Sequence, residues 1–137
     1  MDHGFAIASR LGVAYVPMLH VVLSRIDTHG ELMGGFLYTD YTTNCITVHQ
    51  QGFKPNWMNR AILWVLFDYP FIQLGVKKIL SPFSSGNTLA IKIASKMGFR
   101  EVARVPEVYT DGDLILMETT PDTCRWLARP AAMREAA

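Results

Sequence analysis

One stretch, from Gly75 to Phe99, narrows what this chain can fold into more than any other. Gly75 interrupts the helical pattern before it, and Val76 to Leu80 is a short apolar run suited to a strand. Pro82 and the Ser84-Ser85-Gly86 cluster then predict a turn. Asn87 stands where a helix N-cap belongs, with a side-chain oxygen able to accept from the first unpaired amides. Ala90, Ile93, Ala94 and Met97 recur at helical spacing and make one apolar face. Gly98 closes the helix as the expected left-handed residue.

The chain on either side supplies a sheet. Phe5 to Leu11 reads as a short helix ended by Gly12, and Pro17 marks a break before the first strand. His20 to Ile26 is β-branched and aliphatic, Asp27-Thr28-His29-Gly30 is a turn, and Glu31 to Tyr41 resumes as a strand. Gly34-Gly35 inside that strand predicts a bulge or a close backbone approach. A third run, Cys45 to Gln50, alternates Ile46 and Val48 against Thr47 and His49, so three sequential antiparallel strands are expected.

The long helix follows Pro55, with Asn56 as its expected N-cap. From Trp57 to Phe67 it is apolar nearly all round, which places it inside the fold. Trp57, Trp64, Phe67 and Phe71 read as core, Trp57 bordering a pocket. Pro70 removes a backbone donor and crowds the carbonyl of Leu66, so the helix should kink or stop at Tyr69. Downstream, Arg100 to Tyr109 and Asp113 to Thr119 read as strands joined at Thr110-Asp111-Gly112, and Pro106 demotes the first of them to a bulge or an edge. The order predicts an α+β protein with a mixed sheet and a central helix. Residues 1–120 make one domain and 121–137 a tail in which Trp126 anchors and the Ala-rich end frays.

Half of the 137 residues are hydrophobic and 18% are charged, which excludes disorder across the whole chain. A net charge of +1 argues against a general electrostatic grip on nucleic acid or an acidic membrane. Cys45 and Cys124 lack metal-like or redox-like spacing and read as independent reduced thiols. No paired metal-ligand spacing and no nucleophile elbow is present. Ala61 to Phe67 is interrupted by Asp68 long before it could span a bilayer, and no leader pattern opens the chain, so a soluble cytoplasmic protein is expected.

The run Asn87-x-x-Ala90-x-x-Ile93-x-x-Lys96-x-Gly98-Phe99, preceded by Leu74-Gly75-Val76-Lys77-Lys78-Ile79, resembles the C-terminal half of the GCN5-related N-acetyltransferases, the GNAT superfamily. The shared pattern reaches upstream to about Leu19 and downstream through Met117. Phe67-Asp68-Tyr69-Pro70-Phe71-x-Gln73-Leu74-Gly75, Trp57-x-x-Arg60 and Arg125-Trp126-Leu127 are similar to a phage-encoded branch of that family. The resemblance implies a splayed mixed sheet with a shortened N-terminal part, acetyl-CoA as co-substrate, and transfer of its acetyl group to a primary amine on a small molecule or protein. It also makes a homodimer possible, a partner subunit being one way to complete the acceptor pocket. The alternative, from another class, is a catalytically silent GNAT-like module for binding or assembly.

The same resemblance implies a set of site residues. Cofactor pyrophosphate belongs at the start of the long helix, where unpaired amides and the helix dipole favour an anion. That places Lys54, Asn56, Trp57, Met58, Asn59 and Arg60 around it, with Met58 and Arg60 where the family has small residues. Arg60, Lys54 and the asparagine amides would offset the missing glycines by charge and hydrogen bonding. The third strand, through Val48, His49 and Gln50, would hold the pantetheine arm by its main chain, and Asn87 would touch the cofactor while capping its helix. His49 titrates near neutrality and is the candidate base. Many relatives carry a tyrosine acid where this chain has Ala94; Tyr109 is the remaining candidate.

Overall fold

The computed structural model describes residues 2–127. Among them, β1 (Val21–Ile26), β2 (Leu32–Thr39), β3 (Cys45–Gly52), β4 (Lys78–Ser84), β5 (Arg100–Tyr109) and β6 (Gly112–Thr119) form one sheet in the order β1-β2-β3-β4-β6-β5. All neighbours are antiparallel except β3 and β4, which run parallel. The helices are α1 (His3–Leu11), α2 (Arg60–Asp68) and α3 (Thr88–Met97).

The period-2 pattern of the strands sorts the core into two layers. On one face Phe36, Tyr38, Ile46, Val48 and Ile79 pack with Leu66 and Phe67 of α2 and Ala90 and Ala94 of α3. On the other, Ile7 and Ala8 of α1 cover Leu37. Burying this apolar area is the main stabilising term, at roughly 25 cal/mol per Å² removed from water.

Helix ends follow their capping residues closely. Asp2 accepts from the Gly4 and Phe5 amides at the start of α1, and Gly12 ends it in the left-handed region at φ 74°. Asn87 accepts from Ala90 N, and Gly98 closes α3 at φ 109°, as expected. At α2 the expectation needs correction, because the helix begins at Arg60 and its N-cap is Asn59, which accepts from Ile62 N at 2.8 Å. Asn56 lies in the preceding loop at φ 58°.

Pro70 ends the α-helical ladder as its missing N–H requires: α2 stops at Asp68 and Tyr69–Gln73 winds as a wider π-helical turn. The carbonyl that Pro70 leaves without an i+4 donor is that of Leu66, and the buried Tyr38 hydroxyl donates to it at 2.7 Å. Burial, with the neighbouring Tyr69 adding to it, pushes the Tyr38 phenol far above its ordinary range, so it remains a donor.

Two strands differ from expectation. Pro82 does not turn the chain: β4 continues through it to Ser84. A residue without an N–H is tolerated there because β3 pairs with β4 only as far as Thr47 and Leu80, which leaves that flank of β4 open. Pro106 does distort its strand, as the expected bulge within β5. The β5–β6 register shifts between Val105 and Tyr109, Glu107 takes φ 59°, and Asp113 accepts its amide at 3.1 Å. β5 is exposed along its whole length as an edge.

Residues 121–127 return to the domain. Cys124 is fully buried, Arg125 N donates to Met97 O at 3.1 Å, and Trp126 packs on the core, the anchoring expected of it. The expected fraying of the Ala-rich end lies outside the described residues. Cys45 and Cys124 are both free thiols.

Candidate functional site

The parallel pairing of β3 with β4 is brief: Cys45, Ile46 and Thr47 face Lys78, Ile79 and Leu80, and the strands then separate. One further tie holds at the fork, where the buried Ser81 hydroxyl donates to Val48 O at 2.8 Å. Beyond it opens a cleft of about 1190 Å³. Its walls are residues 49–52 of β3, residues 82–84 of β4, the loop before α2, the N-terminal half of α3 and the C-terminal end of α1.

The β3 wall carries the candidate base. His49 lines the cleft, and its Nε2 lies 3.2 Å from Thr39 Oγ1, whose own proton goes to Asp40 Oδ2 at 2.8 Å. A hydroxyl with its proton committed receives the other bond, so Nε2 of His49 carries hydrogen and Nδ1 holds the lone pair. Burial lowers the His49 pKa from the ordinary 6.5, with Asp40 opposing and His20 adding to the shift. The neutral imidazole is therefore the form present at pH 7. Gln50 also lines the cleft, whereas the Val48 side chain is buried in the core and only its main chain faces the fork.

The loop before α2 is shaped by Trp57. Arg25, Gly34 and Gly52 stand in one row across β1, β2 and β3. The indole of Trp57 lies over both glycines, where any Cβ would collide with its ring, and its centroid is 5.1 Å from that of Phe36. The close approach expected at Gly34-Gly35 is thus made by a ring at Gly34 and by the Leu23 carbonyl at Gly35, and the β1–β2 register shifts beside it, between Arg25 and Ile26. At the end of the row, Arg25 Nη1 donates to Asn56 O at 2.7 Å and to Trp57 O at 2.8 Å. Asn56, Trp57 and Met58 line the cleft.

Three other expected members of this group sit elsewhere. Lys54 turns away from the cleft to Asp27 at 2.8 Å and Glu31 at 2.6 Å, and it holds the Asp27 carboxyl down at about 2. Asn59 is occupied in capping α2, and Arg60 is an exposed residue of its first turn; neither lines the cleft.

The opposite wall brings together Asn87, Tyr109 and residues that the sequence did not single out for chemistry. Ser84 Oγ donates to Asp111 Oδ1 at 2.6 Å, and Gly86 packs so closely under Asp111 that a side chain there would meet its carboxylate. Asp111 is the one carboxylate lining the cleft among the described residues. The Ser-Ser-Gly cluster and the Asp-Gly turn were visible as turns; their meeting across the hairpin was not. Arg10, at the end of α1, lies 4.9 Å over the Phe53 ring and lines the cleft from the N-terminal side. Nothing in the local pattern of α1 signals that docking. Among the described residues, no group of three or more His, Cys, Asp and Glu side chains is placed to hold a metal ion.

No protein-family model matches the sequence, and no curated protein matches it. Solved structures do resemble it in fold. A mutant of the spermidine N-acetyltransferase SpeG from Vibrio cholerae superposes with a TM-score of 0.67 at 16% identity, over 81% of this chain and 70% of that one. A chimera of the Vibrio cholerae enzyme with hSSAT gives 0.65 at 18% identity, over 82% and 75%. A second such chimera gives 0.64 at 17%, over 81% and 71%. The chain has the GNAT fold, the mixed-sheet fold of these spermidine N-acetyltransferases.

Proposed function

We propose that this chain is an acetyl-CoA-dependent N-acetyltransferase that acts on a primary amine. The observation that carries the reading is the fork itself. Beyond Thr47 and Leu80, the main chain of β3 from His49 to Gly52 has no β4 partner and lines the cleft of about 1190 Å³. Unpaired strand edge is what a pantetheine amide chain pairs with, in the manner of an added strand. The fit extends to the loop before α2, where the Trp57 and Met58 amides have no hydrogen-bond partner among the described residues and suit a pyrophosphate.

Bound acetyl-CoA supplies the activated thioester. His49 takes a proton from the acceptor amine through Nδ1 as the new C–N bond forms and the C–S bond breaks. Tyr109, on the opposite wall, returns a proton to the departing sulfur; thiols ionise readily, so this acid is helpful and not obligatory. Asn87 holds the α3 end of the cofactor. Asp111, fixed by Ser84, draws a cationic acceptor into the cleft, a property that suits a polyamine such as the spermidine of the structural relatives' names.

The finer assignments belong to the same proposal. Residues 1–120 constitute one such domain, of the phage-encoded branch, working in the cytoplasm as a homodimer without nucleic acid or membrane. No described helix is long and apolar enough to cross a membrane.

The test is calorimetric titration with acetyl-CoA and with CoA, followed by thiol release in the presence of spermidine and simpler amines. Micromolar binding and amine-dependent thiol release are expected. Binding without release to any amine would move the chain to the silent binding module, and absence of binding would overturn the reading.

A further inference from the structure

We infer that Arg25 is the positioning residue of the anion-binding loop, doing from a neighbouring strand what small residues within a loop do by letting the backbone turn freely. The inference rests on the reading of the cleft as an acyl-CoA site.

The argument starts from the peptide bond. A planar trans peptide sets its C=O and N–H antiparallel, and no cis peptide is present among the described residues. Arg25 Nη1 gathers two consecutive carbonyls, Asn56 O and Trp57 O. The N–H groups across those two peptides belong to Trp57 and Met58, and they are thereby turned away from Arg25. Consecutive amides aimed to one side form a concave anion seat, a nest.

The supporting geometry is independent of the guanidinium. Asn56 takes φ 58°, a left-handed conformation that Asn tolerates better than most residues. Trp57 is seated in the groove over Gly34 and Gly52, which fixes the loop on the sheet. Arg25 lies in register with that pair of glycines, so the strand that anchors the ring also delivers the clamp. Lys54, the nearby cation expected at the phosphates, is engaged by Asp27 and Glu31, and Arg60 is not in the cleft. Arg25 itself does not line the cleft, so its effect passes through the loop and not through contact with the ligand.

The experiment compares two acyl donors that differ in the part the loop would hold. Acetyl-CoA carries the pyrophosphate; S-acetyl-pantetheine lacks it. In Arg25→Gln the KM for acetyl-CoA should rise about tenfold, as for loss of a charge-assisted clamp. The kcat/KM for S-acetyl-pantetheine should stay within about twofold of the unaltered protein on the same reasoning. Arg25→Lys, which keeps the charge and can reach one carbonyl, should restore part of the loss. Calorimetry with CoA and pantetheine gives the same comparison without turnover.

Equal losses with both donors would overturn the inference and leave Arg25 a structural residue, as would unchanged acetyl-CoA kinetics in Arg25→Gln. If Arg25→Gln does not fold, Arg25→Lys carries the same comparison. Failure of the unaltered protein to bind CoA at all would instead remove the acyl-CoA reading beneath it.

Discussion

Ser81 donates to the carbonyl of Val48 at 2.8 Å, and this bond sits where β3 and β4 stop being neighbours. On one side of it the two strands share a ladder; on the other lies the cleft. A side chain thus replaces the next backbone rung and sets how widely the strands part. Ser81→Ala would leave a buried carbonyl without that donor, at a cost of about 1–3 kcal/mol. Urea unfolding should show this loss, and calorimetry should show weaker CoA binding. Unchanged stability would mean that the fork is held by the core alone.

Tyr38 and Leu66 make a second such substitution of side chain for ladder. Pro70 has no N–H for the Leu66 carbonyl, and the Tyr38 hydroxyl reaches it at 2.7 Å. Tyr38→Phe preserves the ring packing and removes only the donor, so about 1–3 kcal/mol of stability should be lost. The partner variant Pro70→Ala restores a donor to α2, and in that background Tyr38→Phe should cost clearly less. A full and equal cost in both backgrounds would separate the tyrosine from the proline.

These two bonds show where sequence reading reached and where it stopped. The steric conflict at Pro70 is local, involving residues four apart, and so it was legible; the tyrosine that resolves it comes from β2, distant in sequence. Asn87 and Gly98 bound α3 as expected, because capping needs only a few consecutive residues. Asn56 and Asn59 look alike as caps, and the choice between them is made by Trp57, whose indole settles over Gly34 and Gly52 and delays the helix to Arg60. Gly34 announced a close approach without naming the ring. Pro82 reads as a turn in isolation and continues a strand here because its β3 flank is open. The cleft residues found only in three dimensions, Arg10 and Asp111 among them, arrive from chain ends and hairpins with ordinary local patterns.

Glu118 is a buried carboxylate held by two cations, Lys78 at 2.8 Å and Arg100 at 3.0 Å. The bond from Lys78, then that from Arg100, lowers its pKa below the ordinary 4.5 despite desolvation. A depressed carboxylate contributes stability that is complete above 4.5 and is lost as pH falls through the folded value. The Tm of the unaltered protein should therefore decline on acidification through that window. Glu118→Gln should lower Tm at pH 7 by roughly 5 °C and flatten the decline below 4.5. An acid profile identical in both proteins would assign the transition to other carboxylates.

His49 gives the sharpest pH prediction, because its chemistry and its stability effect share one titration. The imidazole is held neutral by burial, below its ordinary 6.5, and the Thr39–Asp40 chain directs its lone pair to Nδ1. As the pH falls below 6.5 the unfolded chain binds the proton first, so folding stability drops between 6.5 and the lower folded value, then levels. If Nδ1 is the base, kcat/KM falls along the same acid limb, since protonation there removes the acceptor. His49→Gln should lower the rate by about 10²–10⁴-fold, abolish that limb, and remove the matching step in stability measured by urea unfolding from pH 5 to 8. Thr39→Val frees the imidazole from its fixed tautomer without removing it, and should reduce the rate less than His49→Gln does. A variant at His49 that kept both the rate and the acid limb would place the base elsewhere in the cleft; one that lost the stability step and kept the rate would make His49 a buried structural imidazole.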